Sequence, residues 1–323
     1  MKVRPGHKLS RSIGTSVLLA VFALSVRAGS RNGTSGGQFL RFPAGARMAA
    51  LGEGGVALAR DASALHWNPA GLIRIKGLSV VMTHAGVLEA GAFDHIAAAR
   101  PASPNLVLGL GVHHFTTGQL SILDAGGAVT GDFQPRDLAL SAGAAWTGAG
   151  AAWGAAAKFV RSRLLDSAGA LTADVGALSP PLLWRTVTLA AAASNLGGAL
   201  RYEGEASPLP VTLRAGASAQ LTSDWSAALD AVYPRDRDPF FTFGVEGRFP
   251  ALAGAAVRGG YNGRAAAGGA SGLRMGFGLS RGSWGIDYAF LPEAGGVETH
   301  WFSLTYQRVS VGKGGYLSPE DPS

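Results

Sequence analysis

Apolar and polar residues alternate along most of this sequence, as expected when successive side chains point to opposite faces of a β-strand. In the segment that starts at residue 240, Phe241 and Phe243 share one face, while Thr242 and Glu246 share the other. The same alternation is found in three further segments, 211–217, 273–280 and 284–290. These segments are predicted to be strands, because a helix would repeat its apolar positions every three or four residues.

Fourteen segments read as strands, and most have the roughly 9–11 residues that a tilted transmembrane strand needs. They are 77–85, 92–100, 105–115, 136–147, 150–163, 170–178, 186–195, 210–221, 225–233, 240–249, 255–262, 272–280, 283–290 and 299–309. An even number of such strands, separated by turn residues, is typical of outer-membrane barrels. The sequence therefore predicts an all-β fold, a closed antiparallel transmembrane β-barrel of about 14 strands.

A soluble β-sandwich would show the same alternation, so composition has to separate the two folds. Only 15% of the residues are charged, whereas a soluble domain has about 25%. A sandwich hides its apolar faces and keeps a charged exterior, but a barrel in lipid turns its apolar face outward. After residue 28 no apolar stretch is long enough for a membrane helix. The low charge therefore favours the barrel.

The first 28 residues have the features of a secretory signal peptide. Four basic residues between Lys2 and Arg11 precede an apolar run over 13–24, and Ala28 is the small residue that signal peptidase prefers. The alternative is an uncleaved amphipathic anchor. Cleavage after Ala28 would remove five basic residues and no acidic one, which lowers the net charge from +7 to +2. The chain is thus expected in the bacterial outer membrane, and so small a charge argues against nucleic-acid binding.

Assigning the apolar faces to lipid places eight charged residues inside the barrel. Four are basic and four are acidic: Lys158, Arg214, Arg258, Arg274, Asp174, Asp230, Glu246 and Asp287. Opposite charges on neighbouring strands attract each other strongly where water is limited. We predict a lumen charge network that braces the barrel rather than an open pore. The alternative is that these are ordinary water-facing charges without specific partners.

Several glycines on the inner faces leave space that another segment must fill. Residues 38–72 are rich in small side chains and lack strand alternation through most of their length. Asp61 is expected to cap a short helix that runs to His66, and Asn68 is expected to end it because it precedes Pro69. We therefore expect this N-terminal segment to form a short, partly helical hatch in the lumen.

Three motifs stand close together in this segment: Gly45-Ala46-Arg47 through Leu51-Gly52, Asp61-Ala62-Ser63-Ala64, and Trp67-Asn68-Pro69-Ala70-Gly71-Leu72. Further pieces follow in the strands: Lys158-Phe159, Asp174-Val175-Gly176, Ser194-Asn195-Leu196-Gly197, Arg258-Gly259-Gly260-Tyr261 and Asp287-Tyr288-Ala289-Phe290. With these motifs the chain resembles the PorV/PorQ family of outer-membrane proteins, relatives of the FadL-type long-chain fatty-acid transporters. The resemblance extends over nearly all of the sequence after residue 28.

The resemblance implies a fourteen-stranded barrel over 73–309, closed by a hatch over 29–72 and followed by a tail over 310–323. The hatch residues would be Gly45, Arg47, Asp61, Asn68, Pro69 and Ala70. The tail is a departure, because barrel proteins usually end on an aromatic residue of the last strand, and here Tyr306 is followed by further residues.

The function implied by the resemblance is hatch-gated passage or binding of a hydrophobic small molecule. The alternatives are docking or shuttling of exported proteins beside a type IX-like secretion system, or a structural role in the outer membrane. The expected partners are outer-membrane lipids, a hydrophobic small molecule, and exported proteins or secretion components.

Motifs for catalysis or cofactor binding are weak. The sequence has no cysteine, which excludes disulfides, thiolate metal sites and cysteine nucleophiles. The glycine-rich stretch Gly52–Gly55 lacks the spacing of a phosphate-binding loop. His113 and His114 are adjacent, so on a strand they point to opposite faces and cannot bind one metal together. No Gly-x-Ser-x-Gly elbow is present. The chain is therefore predicted to be a non-enzyme with no cofactor and no metal.

Overall fold

The computed structural model describes residues 33–87, 91–269 and 271–309. The strands are β1 (Gly77–Val87), β2 (Gly91–Ser103), β3 (Leu106–Thr116), β4 (Leu120–Leu123), β5 (Val129–Phe133), β6 (Arg136–Gly148), β7 (Ala151–Arg163), β8 (Ser167–Leu178), β9 (Val187–Leu196), β10 (Ala199–Tyr202), β11 (Glu205–Pro208), β12 (Thr212–Gln220), β13 (Trp225–Pro234), β14 (Phe240–Phe249), β15 (Ala255–Asn262), β16 (Leu273–Arg281), β17 (Trp284–Pro292) and β18 (Glu298–Val309). The predicted signal peptide, residues 29–32 of the predicted hatch and the whole predicted tail lie outside the described residues.

Fourteen of these strands form one closed antiparallel barrel, in the order β1-β18-β17-β16-β15-β14-β13-β12-β9-β8-β7-β6-β3-β2. The first and last strands pair, with Val81 opposite Thr305, so the sheet has no free edge. The fold class and the strand number predicted from the alternation are confirmed, and the strand bounds agree within a few residues. Within the described residues, no helix is both long and apolar enough to span a bilayer.

The two ends of the barrel differ in their connections. At one end, called the terminal end here, β1 begins, β18 ends, and most of the connections are short turns. The other end, called the loop end, has the longer connections. Two of these contain separate hairpins, β4–β5 and β10–β11, which do not join the barrel sheet. The strands predicted at 105–115 and 136–147 leave residues 116–135 as one long connection, and the sequence did not predict the hairpin within it.

The faces of the strands agree with the predicted assignment. In β14, Phe241 and Phe243 are exposed on the outside of the barrel, at 62% and 45% of their surface. Thr242 and Glu246 point inward and are almost completely buried. A register shift between Ala173 and Val175 interrupts the regular pairing of β8 with β9.

Short helices occur mainly in the segment that precedes β1. They are the 3₁₀-helices Gln38–Arg41 and Pro69–Arg74 and the α-helices Ala46–Ala50 and Ala64–Trp67; Gly263–Ala267 and Ala294–Gly296 form short helices in the loops of the loop end. All four N-terminal helices contain side chains that are completely buried. This burial places the segment in the lumen, as predicted for the hatch.

Candidate functional site: the plugged lumen

Residues 33–76, called the plug here, run through the barrel from the loop end to the terminal end. At the loop end, the Gly36 amide donates to the Pro208 carbonyl of β11 at 3.0 Å. At the terminal end, the plug continues directly into β1. In between, the Ala46 amide donates to Ser303 Oγ of β18 at 2.8 Å, and other plug residues bind other strands. The plug is therefore held by the wall along its length.

Glycines in the wall allow the plug backbone to lie directly against the strands. A β-carbon at Gly154 of β7 would clash with the backbone of Pro69 and Ala70. A β-carbon at Gly244 of β14 would lie 2.6 Å from the carbonyl oxygen of Leu51. Such distances are far below ordinary contact, so any larger residue at these positions would displace the plug or the strand.

Asn68 connects two parts of the plug to the wall. Its Oδ1 accepts a hydrogen bond from the Ala70 amide at 3.1 Å, which caps the helix Pro69–Arg74. Its Nδ2 donates to the carbonyls of Val56 at 2.9 Å and Ala177 of β8 at 3.2 Å. The side chain is completely buried, so losing it would leave several buried groups without partners.

The remaining predicted hatch residues shape the turns of the plug. Gly45 has φ 101°, a value that favours glycine, and it precedes the helix Ala46–Ala50. Asp61 Oδ1 accepts from the Ser63 amide at 2.9 Å. The helix that follows is Ala64–Trp67; its N-cap residue is Ser63 rather than the predicted Asp61, and it ends at Asn68 as predicted.

Arg47 and Glu246 form the centre of the largest buried ion-pair group. Arg47 Nε lies 2.7 Å from Glu246 Oε2, and Arg47 Nη2 lies 3.0 Å from Oε1. Arg258 Nε also donates to Glu246 Oε2 at 2.7 Å, and Arg258 Nη1 lies 2.7 Å from Asp287 Oδ1. Burial disfavours the charge of Arg47, but contact with Glu246 outweighs it and holds the pKa of Arg47 above its usual value.

A second pair joins β7 to β8 at the register shift. Lys158 Nζ lies 2.8 Å from Asp174 Oδ2 and donates to Asn195 Oδ1 at 2.7 Å. The Asn195 amide donates to Asp174 Oδ1 at 2.7 Å. Asn195 adopts φ 59°, which asparagine tolerates better than most residues. These bonds hold the irregular part of β8 and β9 together.

The other lumen charges bind groups outside the predicted set of eight. Arg214 Nη1 donates to the Glu53 carbonyl of the plug at 3.0 Å, and Asp230 Oδ2 accepts from the Val56 amide at 3.0 Å. Arg274 Nη2 lies 3.0 Å from Glu293 Oε1, just beyond the end of β17. The direct hydrogen-bond and ion-pair partners of these three residues thus come from the plug and a loop, although Arg214 and Asp230 on neighbouring strands also attract each other.

An apolar cluster fills the lumen at the loop end. Plug residues Phe39, Leu40 and Phe42 pack there against wall residues. The ring centre of Phe42 lies 5.3 Å from those of Phe93 and Phe115. Further members are Val87, Val160, Leu200, Leu209, Leu291 and Trp301. We call this group the loop-end cluster.

Three histidines lie close together between the plug and the wall, a contact that was not predicted from the sequence. His95 of β2 and His113 of β3 are direct cross-strand partners, with ring centres 4.3 Å apart. The ring centre of His66 in the plug lies 4.9 Å from that of His113. Burial, followed by the positive charge of Lys158, lowers the pKa of His66 well below its usual value. His113 is buried and His114 points outward, so the two adjacent histidines face opposite sides of the strand as predicted. The described residues contain no cluster suited to a metal ion.

Several solved structures share this fold. The TodX deltaS2S3 mutant monoaromatic hydrocarbon channel aligns with 83% of this chain and 99% of its own, at 13% identity and a TM-score of 0.56. The toluene transporter TodX of Pseudomonas putida aligns with 81% of this chain and 96% of its own, at 13% identity and a TM-score of 0.53. The CymD monoaromatic hydrocarbon channel aligns with 81% of this chain and 98% of its own, at 12% identity and a TM-score of 0.55.

The chain is therefore a closed β-barrel similar in fold to monoaromatic hydrocarbon channels and to a toluene transporter. No family model matches it, and no curated protein matches it. Membership in the PorV/PorQ family thus stays a prediction. The neighbours are described as channels and a transporter rather than as enzymes.

Proposed function

We propose that this chain is an outer-membrane channel in which the plug gates the passage of a hydrophobic small molecule. The loop-end cluster carries this proposal, because it places aromatic and aliphatic side chains inside the barrel rather than only on its lipid face. The plug covers the wall side chains of this cluster with Phe39, Leu40 and Phe42, and so closes the lumen at the loop end. The fold shared with monoaromatic hydrocarbon channels supports the same substrate class.

The lower part of the lumen explains why the plug has to act as a gate. Below the loop-end cluster, the Arg47–Glu246 pair and the bonds of Asn68 fix the plug to the wall. A neutral apolar molecule gains nothing from these polar groups, and the plug backbone fills the space between them. Passage therefore requires the plug to shift, and the hatch role that the resemblance implies for Gly45, Arg47, Asp61, Asn68, Pro69 and Ala70 is to hold it closed.

The predicted signal peptide and the barrel together support a proposal for the location and the orientation of the chain. We infer export through cleavage near residue 28 and insertion into the bacterial outer membrane. Outer-membrane barrels have short turns on the periplasmic side and longer loops outside. The terminal end would then face the periplasm, and the loop-end cluster would meet molecules that arrive from the medium.

A specific observation favours the alternative role as a docking or shuttle component for exported proteins. The β4–β5 hairpin stands apart from the barrel sheet and exposes several apolar side chains, namely Leu120, Ile122, Leu123 and Val129. Exposed apolar groups of this kind often mark contacts with other proteins.

Uptake of labelled toluene by cells that carry the chain in their outer membrane tests the channel. Uptake should be faster than in cells without the chain. Phe42→Ala should raise it further by opening the loop-end cluster, while Phe241→Ala on the outer face should leave it unchanged. Equal uptake with and without the chain would refute the channel. Exported proteins that co-purify with the chain, but not with a variant lacking 119–133, would favour the docking role.

A further inference from the structure

A small cavity at the loop end is surrounded by arginines. Its volume is about 20 Å³, and it lies between the plug and the strands β12 to β14. Nine residues line it: Arg41, Glu53, Thr212, Arg214, Val232, Pro234, Arg237, Phe240 and Arg264. Four of them are permanently positive, and they come from four parts of the chain, the plug, β12, the β13–β14 loop and the β15–β16 loop.

Two carboxylates face these four arginines. Glu53 Oε1 lies 3.0 Å from Arg264 Nη2, and Glu53 Oε2 lies 3.9 Å from Arg214 Nη2. Asp236 Oδ2 lies 3.2 Å from Arg41 Nη1, and Asp236 Oδ1 lies 3.9 Å from Arg237 Nε. Both carboxyl side chains are almost inaccessible to water. The cavity lining itself has four arginines and one carboxylate, and Asp236, Asp230 and Glu293 nearby offset part of this positive charge.

The arginines retain donors that nothing in the described residues accepts. The Nε atoms of Arg41 and Arg237 are buried and have no hydrogen-bond partner. Asp236 already accepts from Arg41. Burial raises the pKa of Asp236, but its contacts with Arg41 outweigh burial and lower the pKa to about 2. Burial, and then the like charges of Arg41 and Arg264, lower the pKa of Arg237. One more anion at this point would supply the missing acceptor and reduce the repulsion.

The other walls of the cavity restrict the kind of anion. Val232, Pro234 and Phe240 contribute apolar surface beside the guanidinium groups. A planar carboxylate matches the geometry of guanidinium donors, and the volume holds about one small group. Because a volume of about 20 Å³ holds about one water-sized group, only the carboxylate of an organic acid would enter among the arginines, and its apolar part would stay outside the cavity.

We propose that this arginine cavity binds the carboxylate of a small organic acid at the loop end of the barrel. The ligand would bridge the plug, through Arg41, to two loops, through Arg237 and Arg264. This site is separate from the loop-end cluster and does not depend on passage of a hydrophobic molecule.

Calorimetric titration of the purified full chain in detergent with sodium benzoate tests the proposal. Saturable binding of one benzoate per chain is expected. Arg237→Gln and Arg264→Gln should each weaken it by about tenfold, the loss of roughly one charged hydrogen bond. Arg281→Gln is the matched control, because Arg281 is exposed at the terminal end, and binding should be unchanged.

Three further compounds distinguish a carboxylate site from an apolar site and from a general anion site. Benzyl alcohol has the same ring without the charge and should not bind at this site. Sodium phosphate and sodium chloride should compete only weakly. The proposal is overturned if benzoate shows no saturable binding, if benzyl alcohol binds as well as benzoate, if either inorganic anion competes as well as benzoate itself, or if the control variant loses binding equally. Toluene uptake is measured separately, so failure of the channel would leave benzoate binding intact.

Discussion

Arg47 of the plug and Glu246 of β14 hold each other through two parallel contacts of 2.7 and 3.0 Å, although 199 residues separate them in the sequence. Glu246 is buried completely and also binds Arg258 and Arg248. One carboxylate thus neutralises guanidinium groups from the plug and from the wall. This acid is therefore one of several wall groups that hold the plug in its closed position.

Replacing Glu246 with glutamine should destabilise the protein strongly. The change removes the negative charge and leaves Arg47 buried without its partner, which typically costs about 3–5 kcal/mol. Arg248→Gln removes a partly exposed arginine from the same carboxylate and should cost at most about 1 kcal/mol. Unfolding in urea, followed by the loss of the heat-modifiable band on a gel, measures both variants. Similar losses for the two would show that Arg47 does not depend on Glu246.

The outward face of β14 predicts an unequal response to two neighbouring substitutions. Phe243→Arg places a charge near the middle of the strand on the lipid side and should cost about 2–4 kcal/mol. Thr242→Ser changes an inward side chain by one methyl group and should cost much less. Refolding into lipid vesicles at increasing urea concentration compares them. Equal tolerance would mean that the apolar face does not meet lipid.

The barrel could be predicted because its signal is local. Phe241 and Thr242 point to opposite sides of the barrel wall, one apolar and one polar, and this contrast repeats along each strand. The β4–β5 hairpin was missed because its side chains are exposed on both faces, so no alternation marks it. The presence of charges inside the barrel also followed from the alternation, since it fixes which side chains point inward.

The partners of those charges could not be predicted, because they depend on distant parts of the chain. Arg214 binds Glu53, 161 residues away, and nothing near either residue in the sequence indicates the contact. The pairing of His95 with His113 is different, because both lie in one hairpin. A bulge between Pro101 and Ser103 shifts the register by one residue, however, so counting from the turn between β2 and β3 would have paired His95 with His114. The approach of His66 depends on the path of the plug.

His66 gives the stability of the protein a dependence on pH. Its pKa in the folded chain lies well below its usual value because burial and Lys158 disfavour the charged form. As the pH falls below about 6.5, the unfolded chain gains a proton that the folded chain does not. Stability should therefore decrease towards lower pH, by up to about 1.4 kcal/mol per pH unit for this one group.

His66→Phe should make this dependence less steep, whereas His114→Phe on the outer face should not change it. Urea unfolding between pH 7 and pH 5 measures the slope for each variant. A slope that His66→Phe leaves unchanged would contradict burial of the neutral ring.

Two adjacent glycines of β15 test whether the plug lies against the wall. A β-carbon on Gly260 would clash with the backbone of Leu51 and Gly52 and lie 2.6 Å from the Ala50 carbonyl oxygen, whereas a β-carbon on Gly259 would meet nothing within 4 Å. Alanine reduces the freedom of the unfolded chain equally at both positions, a gain of about 0.4–1 kcal/mol. Gly259→Ala should therefore be neutral or slightly stabilising. Gly260→Ala should instead destabilise by about 1–3 kcal/mol, as overpacking does, and should admit more toluene because the plug is displaced. Urea unfolding and toluene uptake measure the pair, and identical behaviour of the two variants would place the plug away from β15.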